Sequence, residues 1–168
     1  MSYLQWWEAG LSLNGQTFLL PSGKKLKLRE PAIEKMIKYR QLSSNDNEAG
    51  GILIGRILIE SSDYIIDDIT VPMKNDICRR TRFIRSSKEH QEYFNEKWEE
   101  SEGRCFYLGE WHTHPEDIPY PSFIDFNDWE RIVHQGHESN DMFFIIVGIK
   151  KIHVWHKRAN SKQSTLLS

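Results

Sequence analysis

Two runs of β-branched residues, GGILIGRILIE at 50–60 and DYIIDDITV at 63–71, constrain the fold more than any other part of the chain. Isoleucine and valine are enriched in strands, and the first run is apolar almost throughout, whereas the second alternates between apolar and polar residues. A short Ser-Ser-Asp turn joins them. The sequence therefore predicts a β-hairpin with one buried strand and one strand that exposes a face.

Helical patterns alternate with further strand-like runs along the rest of the chain. Three segments have helical spacing with a capping, proline or glycine signal at one end, namely 31–42 (PAIEKMIKYRQL), 86–103 (SSKEHQEYFNEKWEESEG) and 122–136 (SFIDFNDWERIVHQG). Three more runs resemble strands, namely 105–111 (CFYLGEW), 142–149 (MFFIIVGI) and 151–157 (KIHVWHK). This order predicts an α/β fold in which one mixed β-sheet is flanked by two or three helices.

The length of 168 residues and the composition bound what the chain can be. We expect one domain over residues 1–157, followed by a polar, disordered tail at 158–168. Turn signals in the first 30 residues predict an irregular edge or a hairpin. The formal net charge of −2 gives no excess of positive charge that would attract nucleic acid or an anionic membrane. Since membrane-span and signal-peptide patterns are also missing, we expect a cytoplasmic protein with neither kind of partner.

The stretch YLGEWHTHPEDIPYPSFIDFNDW holds the strongest functional signal. His112 and His114 follow a predicted strand, and residues at i and i+2 of an extended backbone point the same way, as two ligands of one metal must. Asp125 lies near the start of the next predicted helix and can complete a set of three ligands, which leaves a fourth position of a zinc ion for water. In the alternative interpretation, Ser122 and Asp125 only form a capping box at the helix start.

The segment HTHPEDIPYPSFID at 112–125 has the form His-x-His-Pro, seven residues after the second histidine, then Ser-x-x-Asp. This pattern resembles the JAMM/MPN metallopeptidases, a family of JAB domains. The family's upstream element, a glutamate before a glycine-rich strand, matches NEAGGILIG at 47–55. The resemblance covers about residues 30–157 and no catalytic position is missing. It implies a single JAMM/MPN-like domain of the cytidine-deaminase-like type with one Zn²⁺ per chain.

The resemblance also implies roles for individual residues. His112, His114 and Asp125 would bind the zinc ion. Glu48 would take a proton from the zinc-bound water and pass it to the leaving amine. Ser122 could donate a hydrogen bond to the oxyanion of the tetrahedral intermediate.

A basic run, CRRTRFIR at 78–85, lies outside this pattern. Arg79, Arg80 and Arg82 could bind an acidic substrate tail, although such a charge run is usually just a solvated face. We therefore predict these three arginines as candidate substrate-binding residues.

Within the family, the phrases YLGEWHTHP and PSFIDFNDW most resemble small free-standing bacterial members found in antiphage operons. Those operons also encode a fused activating and conjugating enzyme, and the peptidase reverses a ubiquitin-like conjugation. The resemblance implies a protein substrate with an extended C-terminal tail. In cyclic-oligonucleotide (CBASS) systems that substrate is the nucleotidyltransferase (CD-NTase), and in a related operon type it is a ubiquitin-like protein. A functional pairing with the fused enzyme is implied as well.

Two other classes of function stay open. A cysteine-dependent deconjugase would use Cys78 or Cys105 with a histidine, but Cys105 opens a buried-looking strand and free cysteine is among the most buried residue types. A non-catalytic interaction module, as some members of the superfamily are, would tolerate loss of the ligands or of Glu48. None of these residues is missing here.

Overall fold

A computed structural model of the protein describes residues 14–168, which fold as a large sheet with helices on both faces. The strands are β1 (Gln16–Leu19), β2 (Lys25–Leu28), β3 (Gly50–Ile57), β4 (Tyr64–Ile69), β5 (Ile77–Arg79), β6 (Arg82–Ile84), β7 (Phe106–Thr113), β8 (Asp141–Val147), β9 (Ile152–Arg158) and β10 (Ser164–Leu167). The helices are α1 (Glu30–Ile37), α2 (Ser87–Glu100) and α3 (Phe123–His134).

The large sheet has the strand order β1-β2-β4-β3-β7-β8-β9-β10, and β5 pairs with β6 in a separate two-stranded sheet. Two neighbouring pairs, β2 with β4 and β7 with β8, are parallel, while the other five neighbouring pairs of this sheet are antiparallel. This arrangement confirms the predicted α/β class with a mixed sheet. No helix within residues 14–168 has the length and apolar character needed to cross a bilayer.

The hairpin predicted from the two β-branched runs is formed by β3 and β4. β3 lies between β4 and β7, so it is hydrogen-bonded along both of its edges. Its first six residues are buried. β4 alternates between buried and partly exposed residues over most of its length. The prediction of one buried and one half-exposed strand is therefore confirmed.

Side chains of the central strands alternate between two hydrophobic cores. From β8, Phe143 and Ile145 pack in the core that contains α1, whereas Phe144 and Ile146 pack in the core that contains α3. Trp111 of β7 belongs to the α1 core. Because successive residues of a strand point to opposite faces, the next residue of β7 points toward the face that α3 covers.

The edges of the sheet differ in how well the sequence predicts them. β1 and β2 form an edge hairpin whose turn includes Gly23 at a φ of +88°, a left-handed conformation that favours glycine. This confirms the hairpin for residues 16–28, while the part of that prediction on residues 1–13 lies outside the described residues.

The C-terminal segment differs from the disordered tail that the sequence predicts at 158–168. β10 pairs there with β9, and Leu167 is buried in the α1 core. The prediction relied on the polar residues of this segment, but one buried leucine and a row of backbone hydrogen bonds hold the strand at the sheet edge. Packed structure therefore continues past residue 157.

A buried polar cluster lies at the end of the sheet where β8 begins. Asp141 is 3% exposed and accepts hydrogen bonds from the Tyr64 hydroxyl at 2.6 Å and from His156 Nε2 at 2.7 Å. Burial opposes ionisation of Asp141, but the hydrogen bonds from His156 and Tyr64 outweigh it and lower its pKa to about 2. The ionised carboxylate is therefore the form that the fold favours.

Replacing Asp141 with alanine should lower the free energy of unfolding by about 3–5 kcal/mol at pH 7, because buried partners lose their acceptor. The folded pKa lies below the unfolded value of about 3.9, so the part of this stabilisation that depends on ionised Asp141 is nearly full above about pH 4 and is lost as pH falls toward 2. Urea unfolding across this pH range measures both effects. Asp117→Ala is the control, since Asp117 pairs with Lys150 on the surface. A pH-independent difference between wild type and Asp141→Ala would contradict the assignment.

Candidate active site

Both histidines of the HTHP stretch lie on one face at the end of β7. His112 pairs with Gly50 of β3 and with Ile146 of β8, and the His114 N–H donates to the carbonyl of Val147 at 3.0 Å. Thr113 lies between them and is fully buried. The two imidazoles have their Nε2 atoms 3.0 Å apart, as the i and i+2 spacing predicts.

Helix α3 brings the aspartate to the same point. Ser122 is the N-cap of α3, and its Oγ accepts the Asp125 N–H at 3.2 Å, while its own N–H donates to Asp125 Oδ2 at 2.6 Å. The other carboxylate oxygen, Oδ1, lies 3.2 Å from His112 Nε2. The capping box and the approach to the histidines therefore coexist, because one carboxylate serves both.

The geometry of this set suits a single zinc ion. The Nε2 atoms of the two histidines are 3.0 Å apart, and they lie 3.2 and 3.3 Å from the oxygens of Asp125. Tetrahedral zinc with bonds of about 2.0–2.1 Å separates its ligands by about 3.3 Å. The three side chains are 9–14% exposed, so a water molecule can reach the same point. Among residues 14–168 this is the one group of three such side chains that could hold a metal ion.

The carboxyl group of Glu48 lies beside this set and outside it. Its Oε1 is 3.9 Å from His114 Nε2, and the residue is 7% exposed. Two backbone bonds fix its position. The Glu48 N–H donates to the carbonyl of Arg79 at 2.8 Å, and the following Ala49 N–H donates to Thr113 Oγ1 at 3.0 Å. The structure thus places the predicted base within reach of a water molecule at the three-ligand set.

Burial and mutual charge shift the pKa values of this site in opposite directions. Burial raises the pKa of Glu48, and the neighbouring histidines offset only part of that increase. For Asp125, burial is outweighed by hydrogen bonds from His112 and His114, which hold its pKa well below its usual range. For His114, burial is outweighed by the hydrogen bond and charge of Asp125, and its pKa rises. One carboxyl group is thus adapted to accept a proton and the other to stay ionised.

Of the three candidate arginines, the structure brings Arg82 to the site. Arg82 lines the cleft beside the histidines, and its guanidinium forms an ion pair with Asp128 of α3 at 3.3 Å. The Arg80 guanidinium instead donates to the carbonyls of Ser43 and Asp46. Arg79 contributes its backbone carbonyl to Glu48, and its side chain is not part of the cleft lining. Arg79 and Arg80 thus lie outside the cleft lining, and a substrate role for them stays a prediction.

The two cysteines are poorly suited to nucleophilic chemistry. Cys105 is buried and packs against Ile52 and Ile54. Burial, together with the charge of Asp76, raises the pKa of Cys78, and a raised pKa disfavours the thiolate that such chemistry needs. Neither cysteine lines the cleft at the histidines.

Sequence reasoning missed a buried residue that supports the site. Gln41 is 2% exposed; its Oε1 accepts the Thr113 hydroxyl proton at 3.1 Å, and its Nε2 donates to the Arg80 carbonyl at 2.8 Å. It therefore links the strand that carries both histidines to the β5–β6 hairpin. No local pattern marks this link, because the two partners that form it lie 39 and 72 residues away in the chain.

Known proteins resemble this chain in sequence and in fold. Residues 30–160 match the family described as prokaryotic homologs of the JAB domain. A protein of Escherichia coli (strain TW11681) named CD-NTase/cGAS isopeptidase is 33% identical over 150 residues, which cover 89% of this chain and 93% of that protein. A CD-NTase/cGAS isopeptidase of Vibrio cholerae is 39% identical over 118 residues, 70% of this chain and 72% of that protein.

A solved structure shows the same fold at lower identity. The solution structure of protein DSY2949 from Desulfitobacterium hafniense superposes with a TM-score of 0.54 at 19% identity and covers 83% of this chain and 87% of that chain. The strand order, the HTHP stretch at the end of β7 and the family match over 30–160 lead to one assignment. The chain belongs to the prokaryotic family of JAB-domain homologues.

Proposed function

We propose that the protein is a zinc-dependent isopeptidase that reverses a ubiquitin-like conjugation in bacterial antiphage defence. The bond it cleaves joins the C-terminal carboxyl of a conjugated protein to an amine of the target protein. The observation that carries this proposal is the set of His112, His114 and Asp125, whose ligand atoms lie 3.0–3.3 Å apart beside the buried carboxyl of Glu48. The isopeptidase names of the relatives favour a CD-NTase as the conjugated protein over a ubiquitin-like protein.

Glu48 provides the proton transfer in this mechanism. When bound, zinc would make a water molecule acidic enough to attack at neutral pH and would polarise the scissile carbonyl. Glu48 lies on the Nε2 side of His114, and burial raises its pKa, so its carboxylate accepts the proton of the attacking water more readily than an exposed glutamate would. The same carboxyl group can then deliver the proton to the leaving amine.

Ser122 would stabilise the negative charge that develops on the substrate. Its Oγ accepts the Asp125 N–H, so its hydroxyl proton can donate to the carbonyl oxygen of a substrate in the cleft. The Ser122 N–H meanwhile orients the Asp125 carboxylate toward the histidines. One residue thus caps the helix, holds the ligand and offers an oxyanion donor.

Ser122→Ala should lower kcat by about 10²- to 10³-fold, the typical effect of removing one oxyanion donor. Two further variants separate this role from capping. Ser122→Thr keeps both the hydroxyl and the cap, so it should retain most of the activity. Ser122→Gly keeps a tolerated N-cap residue without any side-chain donor, so it should recover most of the stability and not the turnover. Equal rates for Ser122→Gly and wild type would show that the hydroxyl only caps the helix.

The cleft beside the ligand set suits an extended tail. The β5–β6 hairpin forms one wall with Arg82 and Phe83, and α3 forms the other with Ile124 and Asp128. Glu110, two residues before His112 on the same face of β7, lies on its floor. A tail that lies along the hairpin can gain backbone hydrogen bonds as an added strand, and such binding tolerates different leaving groups. Arg82 is the arginine that can contact an acidic tail there.

The decisive experiment offers the purified protein a CD-NTase whose C-terminus is fused to a reporter, beside a ubiquitin-like protein fused in the same way. We expect cleavage at the junction that a zinc chelator abolishes and a thiol alkylator leaves intact. A matched substrate with a bulky residue at the junction should be cleaved more slowly. Equal cleavage of the normal junction and the junction with the bulky residue would indicate a general metalloprotease. Degradation of unfolded casein while neither fusion is cleaved would indicate the same. Inhibition by the alkylator alone would favour the cysteine mechanism.

The same proposal includes a functional partner. An isopeptidase of this kind acts on a product that another enzyme must make, because forming the bond requires an activated carboxyl group. We therefore include a fused activating and conjugating enzyme as the source of the conjugate. Co-expression of that enzyme, the CD-NTase and this protein should yield fewer conjugates than co-expression with its Glu48→Gln variant.

A further inference from the structure

Three buried polar side chains outside the ligand set form a continuous hydrogen-bonded chain. Thr70 Oγ1 lies 2.6 Å from His90 Nδ1, and His90 Nε2 lies 2.8 Å from Asp76 Oδ2. The side chains of His90 and Asp76 are 1% and 0% exposed, and Thr70 is 1% exposed. A substrate cannot reach a Thr-His-Asp chain buried to this extent, so it has no catalytic access of its own. A buried carboxylate with this many partners is an organising element instead.

The direction of the hydrogen bonds in this chain follows from the partners of Thr70. Its Oγ1 accepts the N–H of Ile52 at 2.8 Å, and we assign its own proton to a bond with His90 Nδ1. The ring proton of His90 then lies on Nε2 and points at Asp76. Helix α2, which carries His90, is thereby joined to the end of β4 on one side and to Asp76 on the other.

Asp76 closes the base of the β5–β6 hairpin. The residue directly precedes β5, and its Oδ1 accepts the N–H of Ser86, which follows β6. Its Oδ2 accepts the N–H of Met73 at 2.7 Å in addition to the bond from His90. One carboxylate therefore holds both ends of the hairpin together and fixes them to α2. Strands of three residues in a two-stranded sheet are not stable alone, so the hairpin depends on such anchors.

The hairpin in turn contacts the residues that build the site. The Arg79 carbonyl accepts the Glu48 N–H at 2.8 Å, and Arg82 reaches Asp128 across the cleft at 3.3 Å. The ring of Phe83 lies so close to Gly50 that a Cβ there would come within 2.5 Å of it. The position of the hairpin thus sets both the backbone of Glu48 and one wall of the cleft.

We propose that Asp76, oriented by His90 and Thr70, is a positioning residue that holds the β5–β6 hairpin against Glu48 and the substrate cleft. The expected effect on kcat/KM rests on the proposed isopeptidase function. The expected effect on the position of the hairpin and of Glu48 rests on the fold alone. Asp76 and His90 belong neither to the ligand set nor to the cleft lining. Their loss should therefore impair the placement of Glu48 and of the tail while the zinc ligands stay in place.

The test compares four variants. Asp76→Ala removes the acceptor, His90→Leu removes the donor with similar bulk, and His90→Gln keeps an N–H that can reach Asp76. Glu92→Gln is the control on the solvent-facing side of α2, where Glu92 pairs with Lys88. Three quantities are measured for each: zinc per chain, amide hydrogen exchange of residues 77–84 and Glu48, and kcat and KM on the CD-NTase reporter per zinc-loaded molecule.

We expect Asp76→Ala and His90→Leu to keep about one zinc per chain and to exchange the hairpin and Glu48 amides faster than wild type. Their kcat/KM should fall by about 10²-fold, the cost typical of a displacement of about 1 Å at a reacting group. His90→Gln should recover most of this loss, and Glu92→Gln should behave as wild type. If Asp76→Ala does not fold, the comparison of His90→Leu with His90→Gln decides the question.

Several results would overturn the proposal. Wild-type kcat/KM in the zinc-loaded His90→Leu protein would show that the network stabilises α2 without positioning the site, whether or not hairpin exchange changes. Loss of zinc would show that the network supports the ligands instead. If the wild-type protein does not cleave the reporter, the proposed function is wrong, but the positioning role of Asp76 can still be tested. Amide exchange at Glu48 and the zinc content of the variants then decide whether Asp76 positions the hairpin.

Discussion

Glutamine in place of Glu48 is expected to lower turnover by about 10²- to 10⁴-fold while the protein keeps its zinc. The Glu48 carboxyl lies 3.9 Å from His114 Nε2, farther than the 3.0–3.3 Å that separate the three ligand atoms. We therefore propose that Glu48 moves a proton and does not bind the ion. Glutamine has nearly the same shape but cannot accept a proton at neutral pH. Cleavage rates on the reporter and zinc analysis of the same sample measure the two effects together.

A second carboxyl group near the same histidine provides the control. Glu116 lies 3.9 Å from His114 Nδ1, on the other side of the ring, and its side chain is 53% exposed. Glu116→Gln should keep most of the activity, because Glu116 lies too far for a direct hydrogen bond and faces solvent. Wild-type turnover in Glu48→Gln would contradict the proposed mechanism. Loss of zinc from that variant would identify Glu48 as a ligand.

The Glu48→Gln variant also distinguishes an enzyme from a non-catalytic interaction module. A catalytically impaired protein that still binds its substrate should accumulate the uncleaved conjugate when it is recovered from host cells. The wild-type protein, which cleaves the same conjugate, should recover less of it. Equal recovery by both forms would favour a binding module.

Local patterns pointed to the group of His112, His114 and Asp125 because its members lie close in the chain. His112 and His114 are two residues apart at the end of one strand, and Asp125 is the third residue of α3, whose capping box it forms with Ser122. Strand alternation and helix capping therefore place all three without knowledge of the sheet order. Glu48 is different, because it lies far from them in the chain, just before β3, and only the resemblance to a known family pointed to it.

The supports of the site could not be predicted, because they depend on contacts across the sheet. The bond between Thr113 and Gln41 spans 72 residues, and the bond between Thr70 and His90 joins the end of a strand to a helix. From the sequence of the basic run at 78–85, only its positive charge could be read. Its backbone forms a hairpin that carries Arg82 into the cleft, whereas Arg80 is used to hold the loop at Ser43. Charge alone cannot distinguish these two roles.

Removing one histidine of the ligand set should abolish both zinc binding and activity. We expect the wild-type protein to carry about one zinc per chain, because two histidines and one carboxylate at these distances form a recognised catalytic ligand set. His114→Ala leaves two ligands, and it removes the Nε2 atom that lies within 3.9 Å of His112, Asp125 and Glu48 alike. Elemental analysis after dialysis against a weak chelator measures the loss, and cleavage of the reporter should fall below detection.

His134→Ala is the matched control for this loss. His134 lies at the end of α3, its side chain is 65% exposed, and its Nδ1 bonds to the backbone carbonyl of Glu130. This variant removes a histidine from the same part of the chain without touching the ligand set, so it should keep zinc and turnover. Full zinc loading in His114→Ala and in the double variant of His112 and His114 would contradict the ligand assignment. In the double variant Asp125 is the one ligand of the set that remains, so a fully bound ion would have to lie elsewhere in the protein.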